Sequence, residues 1–348
     1  MATRRWAWLG IAIVGLAACS PPGSGQQQSP PADPPAQEYT VLADAEAPPG
    51  IQISAYFPGT LQARAGDTIR FENRGPNAPH TITFGVAAHR SDAPLPVTSD
   101  GQLNPVVFGP CVTSQAPTAG LAACPEPPGG PPPVFDGQGL WNSGVLAPAA
   151  PSVPADQTST VVRLADDIAP GRYAYVCLLH PLMNGVVEVV DGSSSLPSPA
   201  EIAEAGERDA SAAILAATAV EQPEAAAPAG ARVNAGWGDA VVAVNQFGPG
   251  NITVPAGTTV TWTSRSPYEP HTITFGQPPF AGPDDPSSLM PGGATPGGDY
   301  TRGFAHSGFI GPAPGFPTDA YALRFTTRGT YHYVCLLHPG MEGDVTVT

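Results

Sequence analysis

The stretch Tyr173-Ala174-Tyr175-Val176-Cys177-Leu178-Leu179-His180-Pro181-Leu182-Met183-Asn184-Gly185 is written a second time at Tyr331 to Gly343, with changes only at 174, 182 and 184. A second motif behaves in the same way. Pro79-His80-Thr81-Ile82-Thr83-Phe84-Gly85 returns letter for letter as Pro270 to Gly276, and Trp141-Asn142-Ser143-Gly144 is echoed by Ala305-His306-Ser307-Gly308. A fixed set of motifs in a fixed order marks one structural unit used twice. The first copy carries 33 more residues between its two main motifs than the second.

Both copies read as β-structure. Ile51 to Phe57 and Thr68 to Phe71 alternate or run apolar around a turn at Ala65-Gly66-Asp67, and Val241 to Phe247 and Thr258 to Thr263 repeat the pattern around Pro255-Ala256-Gly257. Tyr173 to Cys177 and Tyr331 to Cys335 read as strands entered through Gly171 and Gly329. Short strands separated by Gly/Pro turns predict an all-β protein of two tandem Greek-key sandwiches, at 38–191 and 233–348. Between them, Ser198-Pro199-Ala200-Glu201 forms a capping box with proline at the first helical position. It predicts an Ala-rich helix over about 199–221 within a linker at 192–232, spacing or bracing the two domains.

Composition narrows the function. The chain has 348 residues, with 45 Pro and 40 Gly, and a formal charge of −15 in which all 14 basic residues are Arg. An acidic chain without Lys is unsuited to nucleic acid, whose phosphates demand clustered cations. Arg4-Arg5 followed by an apolar run from Trp6 to Ala18 has the pattern of an export signal, too short to span a bilayer comfortably. Leu16-Ala17-Ala18-Cys19 resembles a bacterial lipoprotein box, which implies cleavage before Cys19 and its lipidation; an ordinary signal peptide or an uncleaved anchor remains open. Residues 20–37 then read as a flexible tether.

Each copy offers a distant His and a tight Cys-x-x-His-x-x-Met group: His80 with Cys177, His180 and Met183, and His271 with Cys335, His338 and Met341. Two imidazoles, a thiolate and a thioether are the donor set of a blue-copper site, where the soft thiolate suits Cu(I) and the imidazoles suit both oxidation states. Both copies thus resemble cupredoxins of the plastocyanin and amicyanin type, with the short loop of amicyanin. The resemblance implies a β-sandwich with copper at one end, two coppers per chain, the eight residues above as ligands, and electron transfer rather than catalysis. It implies redox partners such as c-type cytochromes or a membrane oxidoreductase. It also implies that His180 and His338 reach the surface inside apolar patches that Leu178, Leu179 and Leu182, and Leu336 and Leu337, would form; the alternative is that these leucines are core. Thr81 and Thr272 are placed to support the Cys loops through hydrogen bonds, or are ordinary strand threonines.

Cys111 and Cys124 lie in the insertion of the first copy. In an exported protein they predict a disulfide, with free thiols or an extra metal contact as the alternative. His89, His306 and His332 read as surface histidines. The whole describes an exported, lipid-anchored electron carrier of the periplasm or the outer face of the cell membrane. Copper storage or delivery is the alternative reading. A multicopper oxidase or nitrite reductase is disfavoured, since Val176 and Leu178, and Val334 and Leu336, stand beside the cysteines where such enzymes need further histidines.

Overall fold

The computed structural model describes residues 35–85, 112–114, 132–149, 151, 153–180, 182–220, 231–281, 286–311 and 318–348. The expected signal, Cys19, most of the tether, and the Cys111–Cys124 pair lie outside them. Gln37, placed in the tether, is already held: its N–H donates to Asp67 Oδ1 at 2.8 Å and its carbonyl accepts from Thr68 N–H. No helix among the described residues is long and apolar enough to cross a membrane.

Each half is a pair of sheets. In the first, β3 (Tyr56–Phe57), β1 (Glu38–Ala43), β5 (Thr68–Asn73), β10 (Ser159–Leu164) and β8 (Val134–Phe135) form one sheet in that order. The other runs β4 (Thr60–Ala63), β12 (Asn184–Val189), β11 (Gly171–Val176), β6 (Thr83–Phe84), β9 (Leu140–Asn142) and β7 (Val112–Ser114). The second half repeats the plan. One sheet is β19 (Asp299–Tyr300), β21 (Ala320–Phe325), β16 (Thr258–Arg265), β13 (Arg232–Gly238), β14 (Val242–Gly248) and β2 (Ile51–Ile53). Its companion is β15 (Asn251–Val254), β23 (Glu342–Val347), β22 (Gly329–Val334), β17 (Thr274–Phe275), β20 (Ala305–His306) and β18 (Gly292–Gly293).

The period-two alternation of β5 and β16 sends Ile69 and Phe71, and Val260 and Trp262, into their respective cores. Equivalent aromatics then meet edge to face. Phe71 lies 5.1 Å from Tyr175, and Trp262 lies 5.2 Å from Tyr333, centroid to centroid. These stacks fix the strands that lead into Cys177 and Cys335.

One strand departs from the sequence reading. The sequence reading places Ile51 to Phe57 with the first copy, whereas β2 within it pairs antiparallel with β14 of the second half, with Ile53 opposite Val242 and Ile51 opposite Val244. Only β3 returns to its own sheet, beside β1. The crossing is stabilised by a separate apolar cluster drawn from both halves and the helix, including Ile53, Phe57, Ala210, Trp237 and Val244. The helix, Pro199–Ala217, carries the expected capping box and ends four residues short of 221. It braces rather than spaces: its buried face is Gly206, Ala210 and Ala217. A Cβ on Gly206 would lie 2.8 Å from the carbonyl oxygen of Phe57, so only glycine permits this approach.

Gly206→Val is therefore expected to destabilise the chain by about 1–3 kcal/mol through overpacking. Ala203→Val, on the exposed side of the same helix, serves as the control, and the difference in chemical denaturation midpoint is the measurement.

Candidate metal centres

The strand β11 delivers Cys177 to one end of the first sandwich, and a tight loop brings the chain back at once. Cys177 N–H donates to Met183 O at 3.0 Å and Met183 N–H to His180 O at 3.1 Å. The second copy closes identically, Cys335 N–H to Met341 O at 2.8 Å and Met341 N–H to His338 O at 3.1 Å. Both methionines are buried beside their cysteines. The distant histidines are carried by isolated bridges, His80 to Leu146 and His271 to Ile310.

The structure thereby gathers two groups of donors, His80–Cys177–His180 and His271–Cys335–His338, with all donor atoms of a group within 4.8 Å of one another. Nδ1 of His180 is 3.4 Å from Cys177 Sγ, Nδ1 of His80 is 3.8 Å from it, and the two Nδ1 atoms are 3.0 Å apart. In the second group Nδ1 of His338 is 3.4 Å from Cys335 Sγ. Burial pushes each thiol up, but the neighbouring imidazoles outweigh it and hold both cysteines well below the usual thiol range. Thiolate is the form that binds metal.

Thr81 and Thr272 clamp the loops. Thr81 N–H donates to Cys177 Sγ and Thr272 N–H to Cys335 Sγ, both at 3.3 Å, while Leu178 N–H and Leu336 N–H each donate to the threonine hydroxyl at 2.8 Å. The third sequence echo holds this layer from behind. Ile82 N–H donates to Ser143 Oγ, and Ile273 N–H to Ser307 Oγ. Thr83 Oγ1 donates to Asn142 Oδ1 at 3.0 Å, and His306 Nδ1 sits 2.8 Å from Thr274 Oγ1.

That placement corrects one expectation: His306 is fully buried, its Nε2 donating to Ser288 O, because the small strand β20 turns it inward against Thr274. His332 is exposed beside Asp344 and Glu342, at the surface as its sequence reading expects.

A second correction concerns the edges of His180 and His338. Both rings are buried, at 3% and 4% exposure, and Leu178 is buried at 1%, whereas Leu179, Leu336 and Leu337 are half-buried. The reason is Glu269. Its carboxylate lies between the rings, Oε2 at 3.3 Å from His180 Nε2 and Oε1 at 3.1 Å from His338 Nε2. Gln52, delivered by β2, donates to Oε2 at 3.0 Å, and is itself held by Asn245 and Ser54. Burial pushes Glu269 up, but His180 and His338 together hold it well below the usual carboxylate range. Conversely, burial pushes both rings down, yet their thiolates and Glu269 raise them, to about 10 for His180 and about 9 for His338.

The first-motif histidines differ. His80 Nε2 faces Asp44 Oδ2 at 3.3 Å, and Asp44 Oδ1 accepts from Ala45 N–H and Ile53 N–H. Burial pushes His80 down, but Asp44 and Cys177 leave it raised. His271 is lowered by burial, with Cys335 pulling the other way, and neither of its ring nitrogens has a hydrogen-bond partner among the described residues. The strand registers place Gly236 where Asp44 stands, both at positive φ (69° and 65°). A Cβ on Gly236 would lie 2.0 Å from His271 Nε2. A Cβ on Gly75 would lie 2.1 Å from Asp44 Oδ2; its counterpart Ser266 accepts from Glu269 N–H instead. Sequence reading missed Asp44, Gln52 and Glu269. The available signal was the contrast between Gly75-Pro76-Asn77-Ala78 and Ser266-Pro267-Tyr268-Glu269 in otherwise matching contexts.

A β-sandwich holding buried His–Cys–His donors at one end defines a cupredoxin. The family description "Copper binding proteins, plastocyanin/azurin family" matches residues 239–348. Plastocyanin of Scenedesmus fuscus is 33% identical over 103 residues, covering 29% of this chain and 85% of the relative. The chloroplastic plastocyanin of Tetradesmus obliquus is 32% identical over 103 residues, 29% of this chain and 57% of its own length. Amicyanin from Paracoccus versutus is a structural neighbour at 20% identity and a TM-score of 0.23, covering 36% of this chain and 86% of that one. The chain belongs to the plastocyanin/azurin family of copper-binding, electron-transfer proteins, and copper is the cofactor that its donor sets suit. The orphaned Nδ1 of buried His271, beside a thiolate, is the atom such an ion would satisfy.

Thr272→Val removes the acceptor for Leu336 N–H and is expected to cost about 1–3 kcal/mol, while Thr272→Ser keeps the bond. Urea denaturation of the metal-free protein measures both.

Proposed function

We propose that this chain is an exported, membrane-tethered electron carrier with two type 1 copper centres, one in each cupredoxin domain, at 38–191 and 233–348. The observation that carries it is the paired, buried His–Cys–His group, each closed by a loop that returns a methionine. His80, Cys177, His180 and Met183 would hold one ion, and His271, Cys335, His338 and Met341 the other. Bound copper supplies one-electron exchange between Cu(II) and Cu(I). The protein's part is to keep the donors in place through both states. The threonine clamps, the backbone closure of each Cys–Met loop and the aromatic stacks below do so. A catalytic reading would need further histidines at the centres. His306 is engaged by Thr274 and Ser288, and His332 lies at the surface among acids. Export and lipidation at Cys19 rest on the amino-terminal sequence, and redox proteins such as c-type cytochromes or a membrane oxidoreductase are the partners this role requires.

The full chain is expected to bind two coppers and to show an intense thiolate-to-copper absorption when oxidised. Cys177→Ser and Cys335→Ser should each remove one centre and leave the other; a single copper in the unaltered protein, or no such band, would overturn the reading. Asp44 places negative charge on His80 Nε2–H, which makes that imidazole a stronger donor and favours Cu(II). Asp44→Asn is expected to raise the reduction potential of the first centre and leave the second where it was, as voltammetry of the loaded protein would record.

A further inference from the structure

We propose that Glu269 joins the two copper sites into an internal electron relay, running from the site of the first half to that of the second. The inference rests on the copper reading above. In both halves the loop histidine turns Nδ1 toward its cysteine and Nε2 toward Glu269. Only one carboxyl group and two hydrogen bonds, of 3.3 and 3.1 Å, separate the ring edges. Water is kept away: Glu269 is 5% exposed and the rings 3% and 4%. The carboxylate is also fixed. Gln52 donates to Oε2, Ser266 Oγ accepts from the Glu269 N–H, and Asn245 and Ser54 hold Gln52. A buried hydrogen-bond network around a carboxylate holds its members in place and strengthens the coupling between them.

The bridge is supplied once for the pair. The position equivalent to Glu269 in the first half is Ala78, which is buried and carries no polar group beyond its backbone. The strand β2 leaves its own half to bring Gln52 to the same carboxylate. The two sites also differ in a way that sets a direction. Asp44 backs His80, while the bare backbone of Gly236 faces His271. Negative charge at the first site favours its oxidised form, so that site gives up the electron and the second takes it. The first centre is oxidised by one unit as the second is reduced by one. The Nε2–H protons stay on His180 and His338, and no bond to Glu269 breaks.

The test uses the full chain loaded with copper and partly reduced by a rapid photochemical pulse. The absorption of both centres tests the copper reading; if either is missing in the unaltered protein, that reading fails and takes the relay with it. With both present, redistribution of the electron should proceed at a rate independent of protein concentration. Glu269→Ala should slow it by roughly tenfold or more while both absorptions persist. Glu269→Gln, which keeps one oxygen acceptor, should fall between, and it decides the matter if the alanine variant loses a centre. The single-centre proteins Cys177→Ser and Cys335→Ser give the two potentials separately, and the first centre must lie below the second. A concentration-dependent rate, an unchanged rate in the Glu269 variants, or the opposite order of potentials overturns the relay as stated.

Discussion

A carboxylate taken out of water must find partners that replace its hydration, or it becomes neutral. Glu269 meets that demand with three side chains, His180 from the first half, His338 from the second, and Gln52 from a strand that crosses between them. Much of the architecture follows from that need. Gln52 is in place only because β2 pairs with β14, and β2 holds its position because an apolar cluster of both halves packs around Ile53, Phe57 and Trp237. The helix closes this cluster, and it approaches closely enough because residue 206 is glycine. A buried ion at the centre is thus connected to apolar burial at the side, where one sheet of the second half takes a strand from the first and both halves share one apolar cluster.

Duplication preserved the parts that make a site and changed the parts that tune it. The Cys–Met loop closure, the threonine clamp and the serine behind it are the same in both halves down to a few tenths of an ångström. Around that frame the copies diverge in compensated pairs. Asp44 requires the space that Gly75 leaves, and Gly236 leaves the space that His271 fills, while Ser266 serves Glu269. Asn142 and His306 hold the same strand threonine with different chemistry. The result is one donor set in two electrostatic settings.

The fold class and both donor groups were legible in the sequence because they depend on local pattern. Period-two alternation, turns at Gly and Pro, and the spacing of Cys, His and Met within a single loop are properties of neighbouring residues, and repetition removed the ambiguity of each motif. The capping box at Ser198 was legible for the same reason, since its bonds span only three residues. The exposure of His180 and His338 was misjudged, as was the surface placement of His306. In each case what covers the ring comes from far away in the chain, Glu269 for the first two and Ser288 with Thr274 for the last.

The amino-acid order by itself determined what each half is made of: strands, a helix between them, and two sets of soft and imidazole donors. Tertiary structure alone decided that β2 leaves its own half, that the two histidine edges face one carboxylate, and that the carboxylate of Asp44 backs His80 while the bare backbone of Gly236 faces His271. These are contacts between residues separated by tens to hundreds of positions. No local preference encodes them; they arise where packed surfaces bring a charge, a donor and an apolar wall together and exclude water from the space between.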